Sequence, residues 1–174
     1  RFDFRHGKIL FLVLFMLLPV YTVSLGAIFD ILPPNVSAAS STVVGVDPST
    51  NTAEPGQYFT INLNVTSVED LYSWGTRMSW SSGLLEVPYY YVGPSKKYNI
   101  TEGPFLGSGG GTTSFIPKVY LNYMDLSSTL IGAVPGVSGS GILATIKFKV
   151  LRSGNCTLRL DPTRTTLYNS TSII

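Results

Sequence analysis

Histidine, cysteine and charged residues are scarce in this sequence of 174 residues. The single histidine is His6, so the chain after its N-terminal segment lacks Ser-His and Cys-His nucleophile systems and histidine-based metal sites. The single cysteine, Cys156, cannot form an internal disulfide, and the alternating residues around it predict a small core side chain. Only 13% of residues are charged, the net charge is +2, and no basic stripe is present, so nucleic acid is not an expected partner.

Catalytic constellations are missing as well. The acidic residues after residue 40 occur singly, apart from the neighbours Glu69 and Asp70, whereas a glycosidase needs two facing carboxylates. The glycine-rich run at residues 107–111 has no strand before it and no helix after it, so it is not a phosphate-binding loop. We therefore expect a protein that is not an enzyme and that has no cofactor and no metal site of its own.

The first 39 residues differ in composition from the rest. A basic stretch at residues 1–8 precedes residues 9–29, which carry no charge. This order predicts a hydrophobic helix that serves either as a signal peptide or as an uncleaved membrane anchor. Pro19 and the small residues around Ala38 and Ala39 favour a cleaved signal peptide. In both cases the basic flank stays in the cytoplasm, so the domain at residues 40–174 is expected outside the cell, secreted or anchored to its surface.

The remaining residues read as short strands separated by turn residues. Ile61, Leu63 and Val65 alternate with polar residues, and the run from Ile142 to Val150 alternates in the same way. No window has the spacing of an amphipathic helix. The sequence predicts an all-β, antiparallel jelly-roll β-sandwich of about eight or nine strands after the N-terminal helix, with residues 138–141 as a hinge into a core strand. The natural protein is expected to continue beyond residue 174.

Asparagine glycosylation sequons are more frequent than the Ser and Thr content alone would give. They begin at Asn35, Asn64, Asn99, Asn155 and Asn169. Asn64 and Asn155 fall on the polar side of their predicted strands, so their side chains are expected to reach water. The sequons predict an exported glycoprotein. The alternative is a Ser- and Thr-rich surface that creates the pattern by chance.

A cluster of tyrosines is the clearest candidate for a binding element. Tyr89, Tyr91 and Tyr98 lie close to Lys96 and Lys97 in the stretch at residues 88–99. Exposed tyrosines stack on sugar rings or anchor protein interfaces, so Tyr89, Tyr91 and Tyr98 are the predicted ligand-binding residues. The alternative is that these tyrosines simply fill a strand, where tyrosine is favoured.

The order of these segments resembles the cohesin family and its carbohydrate-binding-module relatives. The residues that carry the resemblance are 43–87, 103–115 and 138–160, within a span of roughly 42–168. The sequence is most similar to cohesin-like domains of secreted or membrane-anchored archaeal proteins. The resemblance implies a jelly-roll sandwich that binds rather than catalyses: cohesins dock a calcium-loaded dockerin module through one sheet face, and related modules bind polysaccharide. No contact residue is carried over.

Three functions follow as expectations. The first is attachment of a dockerin-like module at the cell surface, in the context of polysaccharide breakdown, with calcium on the partner rather than on this chain. The second is a module that binds polysaccharide. The third is a pilin-like or surface-layer subunit, which is disfavoured because Pro19 interrupts the apolar run and no acidic residue stands near its start. A further contact, with the membrane, would run through residues 9–29 if they are not cleaved.

Overall fold

A computed structural model describes residues 41–81 and 83–171 of the chain, in which twelve strands form two sheets and a hairpin. Sheet A contains β1 (Val43–Asp47), β2 (Tyr58–Leu71), β4 (Leu85–Glu86), β7 (Ile100–Glu102) and β10 (Val137–Val150). Sheet B contains β3 (Ser73–Ser79), β8 (Thr113–Val119), β9 (Tyr123–Leu130), β11 (Arg159–Leu160) and β12 (Thr166–Tyr168). The separate hairpin consists of β5 (Tyr89–Val92) and β6 (Ser95–Tyr98).

Every strand pairing among these residues is antiparallel, and the two sheets form a β-sandwich, which confirms the predicted fold class. The strand count is twelve rather than eight or nine, because residues 85–102 form four short strands, β4 to β7, where the sequence predicted one. β4 and β7 pair with the same strand, β10, and the hairpin of β5 and β6 lies between them in the chain. β11 and β12 both pair with β3 and are separated by a 3₁₀ helix at Pro162–Arg164. The jelly-roll topology stays a prediction.

The hydrophobic core lies between the two sheets. β2 contributes Ile61, Leu63 and Val65, as their alternation predicts, and β3 contributes Trp74 and Met78. Burying such side chains stabilises the fold by about 1.5–3 kcal/mol each. Cys156 is half-buried against this core, in agreement with its predicted role as a small apolar residue.

The glycine-serine run at residues 138–141 lies within β10 and is not the predicted hinge before it. The pairing of β10 with β2 shifts register at three places in this region, and the opposing Ser67 and Asp70 have left-handed backbones with φ of 53° and 52°. Their amides are satisfied by serine side chains: Ser67 N donates to Ser140 Oγ at 3.0 Å, and Asp70 N donates to Ser138 Oγ at 2.9 Å. The run is therefore a bulged part of the strand, in which serine hydroxyl groups replace the backbone hydrogen bonds that a regular β-ladder would make.

One bulge also changes which side chain faces inward. The alternation predicts Ile142 in the core, but the register shift between Ile142 and Ala144 leaves Ile142 half-buried and makes Leu143 fully buried. From Ala144 onward the predicted alternation holds, with Lys147 exposed.

The predicted signal peptide or membrane anchor at residues 1–39, with the sequon at Asn35, lies outside the described residues. None of the helices among the described residues has the length and apolar composition to cross a bilayer.

Candidate binding surfaces

The outer face of sheet B presents mostly small side chains along its two central strands. In β3 and β9, buried inward residues alternate with these outward residues. The small outward residues are Ser73, Gly75, Ser79, Ser127 and Thr129. Because these side chains are short, a partner can approach the backbone of both strands closely.

An aromatic and charged cluster lies at one end of this face, and we call it the Arg77 cluster. Arg77 donates from Nε and Nη2 to the Asp125 carboxylate at 2.7 and 2.8 Å, and its guanidinium lies 4.3 Å from the centroid of the Tyr123 ring. Tyr120 stacks on Tyr123 with ring centroids 4.4 Å apart. In the turn before β9, Leu121 is 83% exposed. These residues were not found by sequence reasoning, because the register that places Arg77 opposite Asp125 joins distant segments.

The pair of Arg77 and Asp125 makes the Asp125 pKa lower than its ordinary value, chiefly through the hydrogen bond from Arg77. A carboxyl with a lowered folded-state pKa stabilises the protein above its unfolded pKa, and this contribution is lost as pH falls through the folded pKa. Because both side chains are partly exposed, we expect Asp125→Asn to lower the melting temperature at pH 7 by about 3 °C or less. Calorimetry at pH 7 and in strong acid tests this, and a difference that grows in acid would contradict it.

The hairpin of β5 and β6 interrupts the edge of sheet A. β7 pairs with residues 144–146 of β10 and β4 with residues 149–150, so the hairpin stands beside the gap between them. Its base is fixed by two backbone hydrogen bonds, from Asn99 N to Pro88 O at 2.9 Å and from Lys147 N to Asn99 O at 3.0 Å.

The hairpin brings the three predicted tyrosines together on one of its faces. Tyr89 contacts Tyr91 and Tyr98 edge-on, with ring centroids 5.8 and 6.1 Å apart. Lys96 Nζ lies 3.7 Å from the Tyr89 centroid, and a hydrogen bond with Tyr98 is the main cause that raises the pKa of Lys96. Tyr91 is 65% exposed, whereas Tyr98 packs against the core. Ligand binding by these residues stays a prediction.

The four described sequons lie away from the central strands of sheet B. Asn64 points outward from β2 in sheet A, but it is only partly exposed, and its Oδ1 is buried without a hydrogen-bond partner among the described residues. Asn155 is exposed as predicted, although it lies in the loop before β11 and not on a strand. Asn99 precedes β7, and Asn169 follows β12 at the end of sheet B opposite the Arg77 cluster. Their glycosylation stays a prediction.

The carboxylates near the sheet ends hold the fold together. Asp70 Oδ1 accepts a hydrogen bond from Gly136 N at 2.9 Å. The Glu102 carboxylate accepts hydrogen bonds from Ser128 and Thr113, which joins sheet A to sheet B. In the part of the chain that the structure describes, no group of three or more His, Cys, Asp or Glu side chains could hold a metal ion.

A cleft of about 640 Å³ with a mixed polar and apolar lining opens at one edge of the sandwich, between β1 with its following loop and residues 152–160. Among the described strands β1 pairs only with β2, so its second edge has no strand partner. The cleft is lined by residues that also contact the core, including Val46, Phe59, Leu84, Leu158 and Leu160. The cleft is therefore the exposed rim of the hydrophobic core.

Comparison with known proteins gives structural matches only. No model of a protein family matches the chain, and no curated protein does. Among solved structures, the chain is similar to a non-cellulosomal cohesin from the archaeon Archaeoglobus fulgidus, with 18% identity, a TM-score of 0.57, and coverage of 78% of this chain and 84% of that one.

Bacterial cohesins are similar to the same degree. The second type II cohesin module of a cellulosomal adaptor scaffoldin from Acetivibrio cellulolyticus has 21% identity and a TM-score of 0.59, with coverage of 79% of this chain and 90% of that one. The sixth cohesin of another scaffoldin of this organism, solved in complex with a dockerin, has 13% identity and a TM-score of 0.56, with coverage of 76% and 89%.

The likeness to these structures is one of architecture. The two sheets and their antiparallel order, matched over more than three quarters of the chain, show that this protein has the cohesin fold.

Proposed function

We propose that this chain is a non-catalytic module outside the cell that attaches a dockerin-type protein module through the outer face of sheet B. The observation that carries the proposal is the outer face of β3 and β9, with mostly small side chains and the Arg77 cluster at one end. Cohesins of this fold crystallise in complex with dockerins, which supports a protein partner of that class.

The composition of this face fits a protein interface. Binding energy concentrates in a few residues, and tyrosine and arginine are enriched among them. Tyr120 and Tyr123 supply stacked rings, and the pair of Arg77 and Asp125 is already ordered before binding. A pre-ordered charged pair loses little side-chain freedom on association, so it favours affinity.

The opposite face fits a partner less well. The outer face of sheet A carries the Asn64 sequon on β2, beside Asn62 and Thr145, which already bond to each other at 2.9 Å. A glycan on Asn64 would cover this face and leave sheet B open. The proposal therefore assigns sheet A to the solvent side and sheet B to the partner.

The surrounding context comes from the sequence. The N-terminal segment at residues 1–39 would export the domain or anchor it, and a bound dockerin-type module would then be held at the cell surface. Calcium dependence would arise from the partner. A pilin-like or surface-layer role stays the further alternative, and no feature of the described residues favours it.

We expect Ser127→Arg, in the centre of the sheet B face, to weaken partner binding by about tenfold or more, since a long charged side chain prevents close approach. The matched control is Thr60→Arg, which adds the same side chain to the outer face of sheet A. The full chain, immobilised, would first capture a partner from the extracellular proteins of its source, with calcium and then with chelator. The identified partner, purified, would be titrated against both variants by calorimetry.

Two outcomes would overturn the proposal. If no protein is retained in calcium, the chain has no dockerin-type partner in that environment. If Thr60→Arg abolishes binding and Ser127→Arg does not, the partner binds sheet A.

A further inference from the structure

The hairpin of β5 and β6 carries positive charge that its surroundings do not neutralise. Residues 87–101 contain Lys96 and Lys97 and no acidic residue. The acidic residues on either side are engaged elsewhere: Glu86 lies 3.6 Å from Lys149, and Glu102 accepts hydrogen bonds from two hydroxyl groups. Neither lysine of the hairpin takes part in an ion pair with a described residue. The hairpin therefore offers one cation on each face to an anionic ligand, with Lys96 beside Tyr91 and Lys97 beside Tyr90.

The same hairpin presents aromatic surface to solvent. Tyr89 and Tyr91 are more than half exposed on one face, and Tyr90 is about as exposed on the other. A phenol ring offers an apolar face for the C–H groups of a sugar ring and a hydroxyl for its polar groups. Tyr98 differs, because it packs against the core and fixes the base of the cluster.

The geometry distinguishes between classes of polysaccharide. The Tyr89 ring is nearly perpendicular to that of Tyr91, at 89°, and is tilted by 65° to that of Tyr98. A flat, neutral polysaccharide surface needs coplanar rings, and here the Lys96 ammonium group also covers one side of Tyr89. A single flexible chain with negative charges fits better, because a charged group can meet Lys96 while one sugar ring contacts Tyr91 on the same face.

We propose that the hairpin of β5 and β6 binds an anionic polysaccharide, with Tyr91 packed against a sugar ring and Lys96, on the same face, paired with an acidic group. Lys97 on the opposite face adds to the positive charge that attracts the chain. This narrows the predicted role of Tyr89, Tyr91 and Tyr98 to charged glycans. A bilayer is a poorer fit, since the tip at Gly93–Ser95 has no large apolar side chain to insert. The site is independent of the docking face on sheet B.

Affinity electrophoresis of the full chain tests the proposal, with polygalacturonate in the gel as the anionic probe and dextran as the neutral one. We expect polygalacturonate to retard the protein, dextran to leave it unretarded, and added salt to weaken the retardation. Tyr91→Ala, and separately Lys96→Gln combined with Lys97→Gln, should each weaken binding by about tenfold. Tyr91→Phe keeps the ring and should retain most of the affinity.

The matched control is Tyr58, an exposed tyrosine on sheet A that also has a lysine over its ring. Lys147 Nζ lies 4.8 Å from the Tyr58 centroid on sheet A, and Tyr58→Ala with Lys147→Gln should leave retardation unchanged. The proposal fails if this control loses as much as Tyr91→Ala, if dextran retards the protein equally, or if no retardation occurs. Tighter binding to vesicles with anionic lipid than to polygalacturonate would also overturn it. Ser127→Arg should not affect this assay, so the two proposals fail separately.

Discussion

Phe148→Ala is expected to lower the free energy of unfolding by about 3–5 kcal/mol. Phe148 is fully buried in β10 of sheet A, where it stacks on Phe59 with ring centroids 5.5 Å apart. It also meets Trp80, which directly follows β3 of sheet B, edge-on at 5.3 Å. Removing this ring leaves a cavity where the two sheets meet, and such a loss is a large part of the roughly 5–15 kcal/mol that stabilises a typical domain.

Urea unfolding followed by tryptophan fluorescence measures this loss, because Trp80 lies against the ring that is removed. Phe148→Leu fills most of the space and should cost only about 1 kcal/mol, which keeps the test informative if the alanine variant does not fold. Lys147→Ala, the exposed neighbour in the same strand, should change stability by about 0.5 kcal/mol or less. A loss for Phe148→Ala no larger than that of Lys147→Ala would show that Phe148 does not join the sheets.

Much of the fold could be predicted from sequence, because successive residues of a half-buried strand alternate between the apolar core face and the polar solvent face. The inward faces of β3 and of β2 as far as Val65 follow from this rule. The start of β10 does not, since its bulges depend on Ser67 and Asp70, which lie about seventy residues earlier in the chain. A register shift of one residue exchanged Ile142 for Leu143 in the core, and local alternation carries no signal of such a shift.

The candidate sites could likewise be predicted only in part. Tyr89 and Tyr91 are two residues apart, so their shared face could be predicted from spacing alone. The position of Lys96 over Tyr89 could not, because it follows from the pairing of Tyr91 with Lys96 across the hairpin. The Arg77 cluster was missed entirely, since its parts come from β3, β9 and the turn before β9 and carry no motif.

Two glycine positions provide the second test, because replacing glycine by alanine is expected to lower the stability at one of them and not at the other. Gly103 is buried and donates from its amide to Leu143 O at 2.9 Å, where the chain after β7 runs against β10. A Cβ atom at Gly103 would overlap the carbonyl group of Ile142, which is backbone and cannot rotate away. Gly45 in β1 has no atom within 4 Å of the same position.

We therefore expect Gly103→Ala to lower the free energy of unfolding by about 2–3 kcal/mol, because β7 must move away from β10 to admit the methyl group. Gly45→Ala should leave stability unchanged or raise it by about 0.5 kcal/mol, since alanine restricts the unfolded chain without strain in a strand. Urea unfolding of both variants beside the wild type measures the difference. Equal stability of the two variants would mean that β7 does not pack on β10 as closely as described. A loss confined to Gly103→Ala would show that the chain directly after β7 packs closely on the backbone of β10.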